Sequence, residues 1–237
     1  MKDQILKTIY TIYTEWSAKK ELACKKRCSA CCTQNVTITA LEGEIILRFV
    51  QERNMEEWFG QKIRDNRPPN RPKMTTNDFA RACLQGKEVD PGEISNQSPC
   101  PFLEDDICTI YEARPFGCRI LASEKSCSSS QPAVILDHYF SASTAVAQIV
   151  EHVGQKEYWG NMLDVLPALC DISEFNAIAN QLNTTIMMQA RMRTLTAKPI
   201  PGFLFTEEDQ QTVTPLLEAI FNTEIDGKRV EDILNGK

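Results

Sequence analysis

The chain has 237 residues, 42% of them hydrophobic and 24% charged, with a formal net charge of −6 at pH 7. That length suits one large domain, or a small domain with an appendage. The acidic balance speaks against a nucleic-acid partner, which calls for a concentrated basic surface.

No stretch reaches the roughly eighteen uninterrupted apolar residues that a membrane span needs. The chain also opens on an amphipathic pattern instead of a signal sequence. A cytoplasmic protein without membrane contact is expected. Ile5, Ile9, Ile12 and Trp16 recur at helical spacing and predict a helix over about residues 3–23. Basic residues concentrate only at Lys25-Lys26-Arg27 and at Arg64, Arg67, Arg71 and Lys73, read as solvated faces or local charge compensation. Thr39-Ala40-Leu41-Glu42 has the form of a capping box, in which hydroxyl and carboxylate satisfy free helix-terminal N–H groups. Leu41, Ile45 and Phe49 continue that helix, and Met55, Phe59 and Ile63 extend the pattern past a break at Arg53-Asn54. Pro68-Pro69-Asn70-Arg71-Pro72 stops it.

A short helix is expected at 76–85, followed by a loop bounded by Pro91-Gly92 and Pro99. Residues 100–111 read as two very short strands around the acidic turn Glu104-Asp105-Asp106, which is a better reading for those acids than a hard-cation site. Pro101 confines the first strand to an edge. Ser128-Ser129-Ser130-Gln131-Pro132 is a loop. Beyond it, Leu136, Phe140, Val146, Ile149, Val150 and Val153 form the core face of a helix, and further helices are expected near 157–170, 173–193, 206–222 and 227–235. The expected fold class is mainly α. Helices surround a small irregular cysteine-rich metal-binding element with at most a short β-hairpin. Residues 1–135 form the cysteine-cluster part and 136–237 the helical C-terminal part, packed as one continuous domain or standing partly apart.

The chain holds ten cysteines. In a reducing compartment these read as metal ligands or redox groups and not as five disulfides. Eight form two sets, Cys24, Cys28, Cys31 and Cys32, then Cys100, Cys108, Cys118 and Cys127. Zinc and iron–sulfur iron both favour thiolates, typically four per centre, so eight thiols can serve two centres or one centre with spares. If the first helix ran through the first set, all four sulfurs would share a face. Adjacent Cys31 and Cys32 would still diverge by about 100°, which favours two neighbouring centres or a helix break at Ser29-Ala30. Lys25, Lys26 and Arg27 would offset thiolates at the negative end of that helix.

Cys83 and Cys170 stand alone in helical patterns and read as buried apolar thiols. His138 and His152 read as structural or exposed, and Met187, Met188 and Met192 as core filler. Arg114 and Arg119 flank Cys118, where they either neutralise thiolates or pair with nearby acids.

Cys28-Ser29-Ala30-Cys31-Cys32, Cys100-Pro101-Phe102-Leu103, Cys108-Thr109-Ile110-Tyr111 and Arg114-Pro115-Phe116-Gly117-Cys118-Arg119, in that order, resemble the CxxCxxCC cysteine-cluster family. The resemblance covers roughly residues 24–127 and implies zinc or iron chelation. The first gap departs from the family pattern, with three residues between Cys24 and Cys28 where two are usual, and Cys127 rests on spacing more than on the motif. Related clusters occur in flagellin lysine methylases, which keeps an enzymatic reading open. The expected function is therefore a cysteine-ligated iron–sulfur or iron centre doing redox or oxidative work on a protein or peptide. The alternative is a structural zinc module supporting a protein-interaction surface.

Overall fold

The structure, a computed structural model, describes residues 1–25, 27–66, 71–90, 98–128 and 131–236. The expected proline stop at Pro68-Pro69-Asn70, the Pro91-Gly92 turn, and Lys26, Arg67, Ser129 and Ser130 lie outside the described residues.

Helix α1 (Lys2–Ser17) buries Ile5, Leu6, Ile9 and Tyr13, three or four residues apart on one stripe. It ends well short of the expected residue 23. Lys19 and Lys20 close as turns on Trp16 and Ser17, and the chain then leaves the helix so that Ala23 N can donate to Ser123 O at 2.8 Å. The cysteines of the first set therefore sit on irregular backbone. The helical wheel for their sulfurs does not apply, and there is no helix end there for Lys25 or Arg27 to neutralise. Arg27 is left-handed, with φ 72°, a conformation non-glycine residues adopt mainly in turns.

Strand β1 (Thr37–Thr39) leads directly into α2 (Ala40–Glu52) through the expected capping box. Thr39 Oγ1 accepts from Glu42 N at 3.3 Å, and Glu42 Oε2 accepts from Thr39 N at 2.9 Å. A left-handed Asn54 (φ 54°) makes the break before α3 (Glu56–Asp65). Thr75 caps α4 (Thr76–Leu84), its hydroxyl accepting from Asp78 N at 3.1 Å.

Strands β2 (Leu103–Glu104) and β3 (Ile107–Cys108) form the expected hairpin. Its turn is Asp105-Asp106, at φ 49° and 62°, the two left-handed residues that match the twist of a tight hairpin. A single turn of helix, α5 (Phe116–Arg119), follows, then α6 (Asp137–Val153).

The expected helix over 157–170 begins as a strand, β4 (Tyr158–Asn161), and only then becomes α7 (Met162–Leu169), capped by Asn161 Oδ1 on Leu163 N at 2.9 Å. The expected 173–193 helix is likewise divided. A 3₁₀ turn (Ser173–Phe175) and α8 (Asn176–Ala179) precede α9 (Thr184–Arg193), because Asn183 stops the chain and caps the new helix on Ile186 N at 2.8 Å. Strand β5 (Leu195–Thr196), α10 (Glu207–Asn222), the hairpin β6 (Glu224–Ile225) and β7 (Lys228–Arg229), and α11 (Val230–Leu234) complete the chain.

The fold is mainly α. It has more sheet than the single hairpin expected: β1, β4 and β5 form an antiparallel three-stranded sheet, with Ile38 opposite Gly160 and Trp159 opposite Leu195. Strands of two to four residues carry too little alternation to be read from sequence. This sheet matters to the site, since it fastens the end of the first cysteine set to the C-terminal half of the chain.

Two cores hold the molecule together. One packs α1 against α6 and α10 through Ile5, Leu6, Ile9, Val146, Ile149, Val213 and Leu216. The other packs α2 and α3 against α7 through Ile46, Leu47, Phe59, Val165 and Leu166, with Phe102 and Ile110 from the second cysteine segment. Both cores join residues from before and after residue 135. Among the described residues, no helix is long and apolar enough to cross a membrane.

Candidate metal centre

The two cysteine sets are brought together by hydrogen bonds at both ends of the first one. At its far end, Cys100 N donates to Cys32 O at 2.9 Å and Gln34 N to Ser98 O at 3.1 Å. At its near end, besides the Ala23–Ser123 bond, Ser123 N donates to Cys24 Sγ at 3.3 Å. In the middle, Ser29 Oγ donates to Asp106 Oδ1 at 2.6 Å. The acidic hairpin turn thus anchors the first set.

Around these joints lies a cavity of about 450 Å³, walled by Cys24, Cys28, Cys31, Cys32, Cys100, Cys108 and Cys118. Cys127 is outside its wall, in the segment that holds Cys24. All ten cysteines are free thiols. Among the described residues, no three His, Cys, Asp or Glu side chains are already close enough to hold one ion. Ligation would therefore draw the sulfurs inward from the positions they take here.

Electrostatics identify which thiols face one another. Burial pushes Cys100 up to about 11 and raises Cys108 and Cys118 as well. Adjacent Cys31 and Cys32 act on each other: the Cys32 side chain raises the Cys31 thiol, and Cys31 lowers Cys32. Cys32 in turn faces Cys118, Cys100 and Cys108. Cys24 is raised by burial, lowered by the Ser123 N–H, and raised again by Cys28, Cys31 and Cys127.

Gathered thiols of this kind are the soft donors that zinc and iron–sulfur iron take as thiolates. The positive charge of either group offsets the burial and repulsion that raise Cys24, Cys31, Cys100, Cys108 and Cys118, so the donor set fits both.

The second segment carries its own cation. The Arg114 guanidinium lies 4.0 Å from the Tyr111 ring, and its charge lowers Cys108 and Cys118. Arg119 lines the same cavity and lies near Cys118. It stacks on Tyr10 at 4.4 Å, and its Nε donates to Arg114 O at 3.1 Å. Glu112, the nearest acid in sequence, pairs with Arg53. Both arginines therefore bring positive charge to the second cysteine set.

Two positioning residues had no separate sequence signal. Glu42 caps α2, but its Oε1 also accepts from Phe116 N at 2.7 Å and from the Tyr10 hydroxyl at 2.6 Å. It therefore fastens the first N–H of the helical turn that carries Cys118. Ser123, 1% exposed, accepts from Val134 N at 2.9 Å and donates to Lys125 O at 2.7 Å, bending the segment that meets Cys24. A capping-box pattern could flag Glu42 only as a local cap; its partner 74 residues away is a tertiary fact.

The remaining candidates stay out of the site. Cys170 is fully buried and donates to Leu166 O at 3.3 Å, with burial pushing it up to about 12. Cys83 lies on α4, away from the cavity. His152 is structural: Nδ1 accepts from Ile200 N and Nε2 reaches Leu234 O, each at 3.1 Å. Met187 packs on the second core, whereas Met188 and Met192 are 58% and 77% exposed and do not fill it.

No curated protein and no solved structure matches the chain. Residues 23–134 match one family model, whose description reads "CxxCxxCC: Putative zinc- or iron-chelating domain". The matched segment begins just before Cys24 and ends just after Cys127, so it takes in both hydrogen-bonded cysteine sets and the cavity between them. A little under half of the chain, residues 23–134, thus matches a domain family described as zinc- or iron-chelating.

Proposed function

We propose that the chain is a cytoplasmic metalloprotein in which Cys24, Cys28, Cys31, Cys32, Cys100, Cys108, Cys118 and Cys127 are the metal ligands. The bound group is an iron–sulfur centre working in redox or oxidative modification of a protein or peptide. One observation carries the reading: the cavity of about 450 Å³ lies against seven thiols, far more room than a single ion fills. A closed structural site surrounds its metal with four protein ligands, while a reactive one keeps an accessible side.

An iron–sulfur group bound there would supply electron exchange. The protein's own part is to hold and screen it. Cys100, Cys108 and Cys118 pack on the second core, and Arg114 contributes positive charge beside the sulfurs. Ile107 and Tyr111, 40% and 44% exposed, stand on the cavity wall as apolar contacts for a peptide. Ten free thiols suit a reducing compartment.

A structural zinc module is the second reading. It is favoured by the exposed apolar side chains Leu121, Val134, Ile135 and Phe140, which lie within or just after the second set in the chain and would form a partner surface. Purification without oxygen, with metal and inorganic sulfide analysis and spin-resonance spectra, separates the two. Iron with sulfide, and colour lost in air, is expected. Stoichiometric zinc with neither iron nor sulfide would leave the module reading standing.

A further inference from the structure

We propose that the eight cysteines divide into two four-thiolate metal centres lying side by side. One comprises Cys32, Cys100, Cys108 and Cys118, the other Cys24, Cys28, Cys31 and Cys127, and they meet at the Cys31-Cys32 peptide. The proposal rests on the reading of these cysteines as ligands and adds how they are shared out.

Backbone geometry makes the division. The first set is held at two separate places: its Cys32 end is bonded to the 98–100 segment and its Cys24 end to Ser123. Cys32 is therefore committed to the neighbourhood of Cys100. The β2–β3 hairpin brings Cys108 back opposite Leu103, three residues after Cys100, and Glu42 fixes the turn bearing Cys118. The Cys24 end is committed to the segment that carries Cys127 four residues beyond Ser123, a segment folded back by the Ser128–Gln131 bridge.

Packing divides the thiols in the same way. Cys100, Cys108 and Cys118 pack together on the second core, and Cys24, Cys28, Cys31 and Cys127 are not among its residues. The adjacent residues Cys31 and Cys32 are the contact between the two quartets. Four thiolates are what one zinc or one iron–sulfur cluster uses, so neither quartet has a ligand missing or to spare. A staple for a single segment needs only one such site. Two centres in contact instead extend from the cavity wall at Cys108 to the outer segment at Cys127.

Cobalt(II) is the probe, because tetrathiolate cobalt is coloured and takes zinc's geometry. Full-length protein, reduced and metal-free, is titrated without oxygen while the thiolate-to-cobalt absorption is followed. Two ions per chain are expected. The Cys28→Ser/Cys127→Ser pair should keep one ion with full tetrathiolate character, and so should Cys100→Ser/Cys108→Ser. The crossed pair Cys28→Ser/Cys108→Ser should keep no tetrathiolate site.

A wild-type endpoint of one tetrathiolate ion would overturn the division while leaving the cysteines as ligands. Absence of any thiolate absorption would overturn the ligand reading itself. Cys100 and Cys108 lie against a core, so their pair could fail to fold. The Cys28→Ser/Cys127→Ser pair then decides alone: one remaining ion supports the division, and none or two overturns it.

Discussion

Two side chains, half-buried Cys118 and fully buried Glu151, show how burial acts at single positions. Cys118 is a thiol whose proton is held by apolar surroundings and by Cys100 and Cys108, and a bound metal would replace that proton. Cys31→Ala and Cys118→Ala are therefore expected to lose metal and to lower the melting temperature. Structural zinc contributes on the order of 10–16 kcal/mol in small peptides, against about 5–15 kcal/mol for a whole domain. Cys170→Ala should keep its metal, since that thiol bonds only its own helix; metal analysis beside thermal melts checks all three. Glu151 is a carboxyl raised by burial, despite N–H groups from Asn77 and Lys198 at 2.8 Å that favour its charged form. Between its ordinary value and that raised value, the folded chain binds more protons than the unfolded one. Its contribution therefore falls as pH rises through that window. The stability gap between wild type and Glu151→Gln should be widest below pH 4.5 and narrow as pH rises towards neutrality, measured by denaturant unfolding at several pH values; a gap that widens with rising pH would refute the sign. At this scale the cysteine sets could be read from spacing alone. The second role of Glu42 and the part of Ser123 could not, because their partners are 74 and 99 residues distant.

Among the elements, α2, α4, α6 and α10 were readable as helices; side-chain caps at Thr39, Thr75 and Thr206 open three of them, and α6 rests on its apolar stripe alone. What failed was decided by pairing across the fold. Helix α1 stops at Ser17, ahead of the segment whose Ala23 bonds Ser123, and β4 claims residues from an expected helix because β1 and β5 lie on either side of it. Met188 and Met192 misled because helical spacing alone does not say which face is covered. Close packing between elements also yields a prediction. A methyl group added at Gly60 of α3 would lie 2.5 Å from Gln181 Cβ and 3.1 Å from Gln181 O. Gly to Ala inside a helix ordinarily stabilises by up to about 1 kcal/mol, while overpacking costs about 1–3 kcal/mol. The contact is with a Cβ next to the backbone, which cannot rotate away, so overpacking wins. Gly60→Ala should lower the urea midpoint; a raised midpoint would show that α3 and residue 181 are not this close.

For the whole molecule, the cysteine loops and the helical cores are distinct in what holds them. The first core contains none of the eight clustered cysteines, and the second is only touched by Cys100, Cys108 and Cys118 at its edge. The described residues of 18–36 are mostly without regular structure, and so are those of 120–136. Both depend on a few hydrogen bonds and on whatever the thiols bind. The resemblance announced the metal element but not that α1, which precedes it, packs on α6 and α10, which follow it. Chain ends that meet in a core leave no periodic signal of the meeting. This layout predicts how the protein responds when its metal is removed by a chelator under reducing conditions. Most helices lie in the cores, so far-UV circular dichroism should change little. The melting temperature should fall, because metal binding and the ordering of its loops are linked. Limited proteolysis should then cut first within 18–36 and 120–136, where segments with few buried contacts open locally before the body does. Cleavage that begins instead in α6 or α10, or helicity lost in step with the metal, would mean that the centre organises the cores themselves.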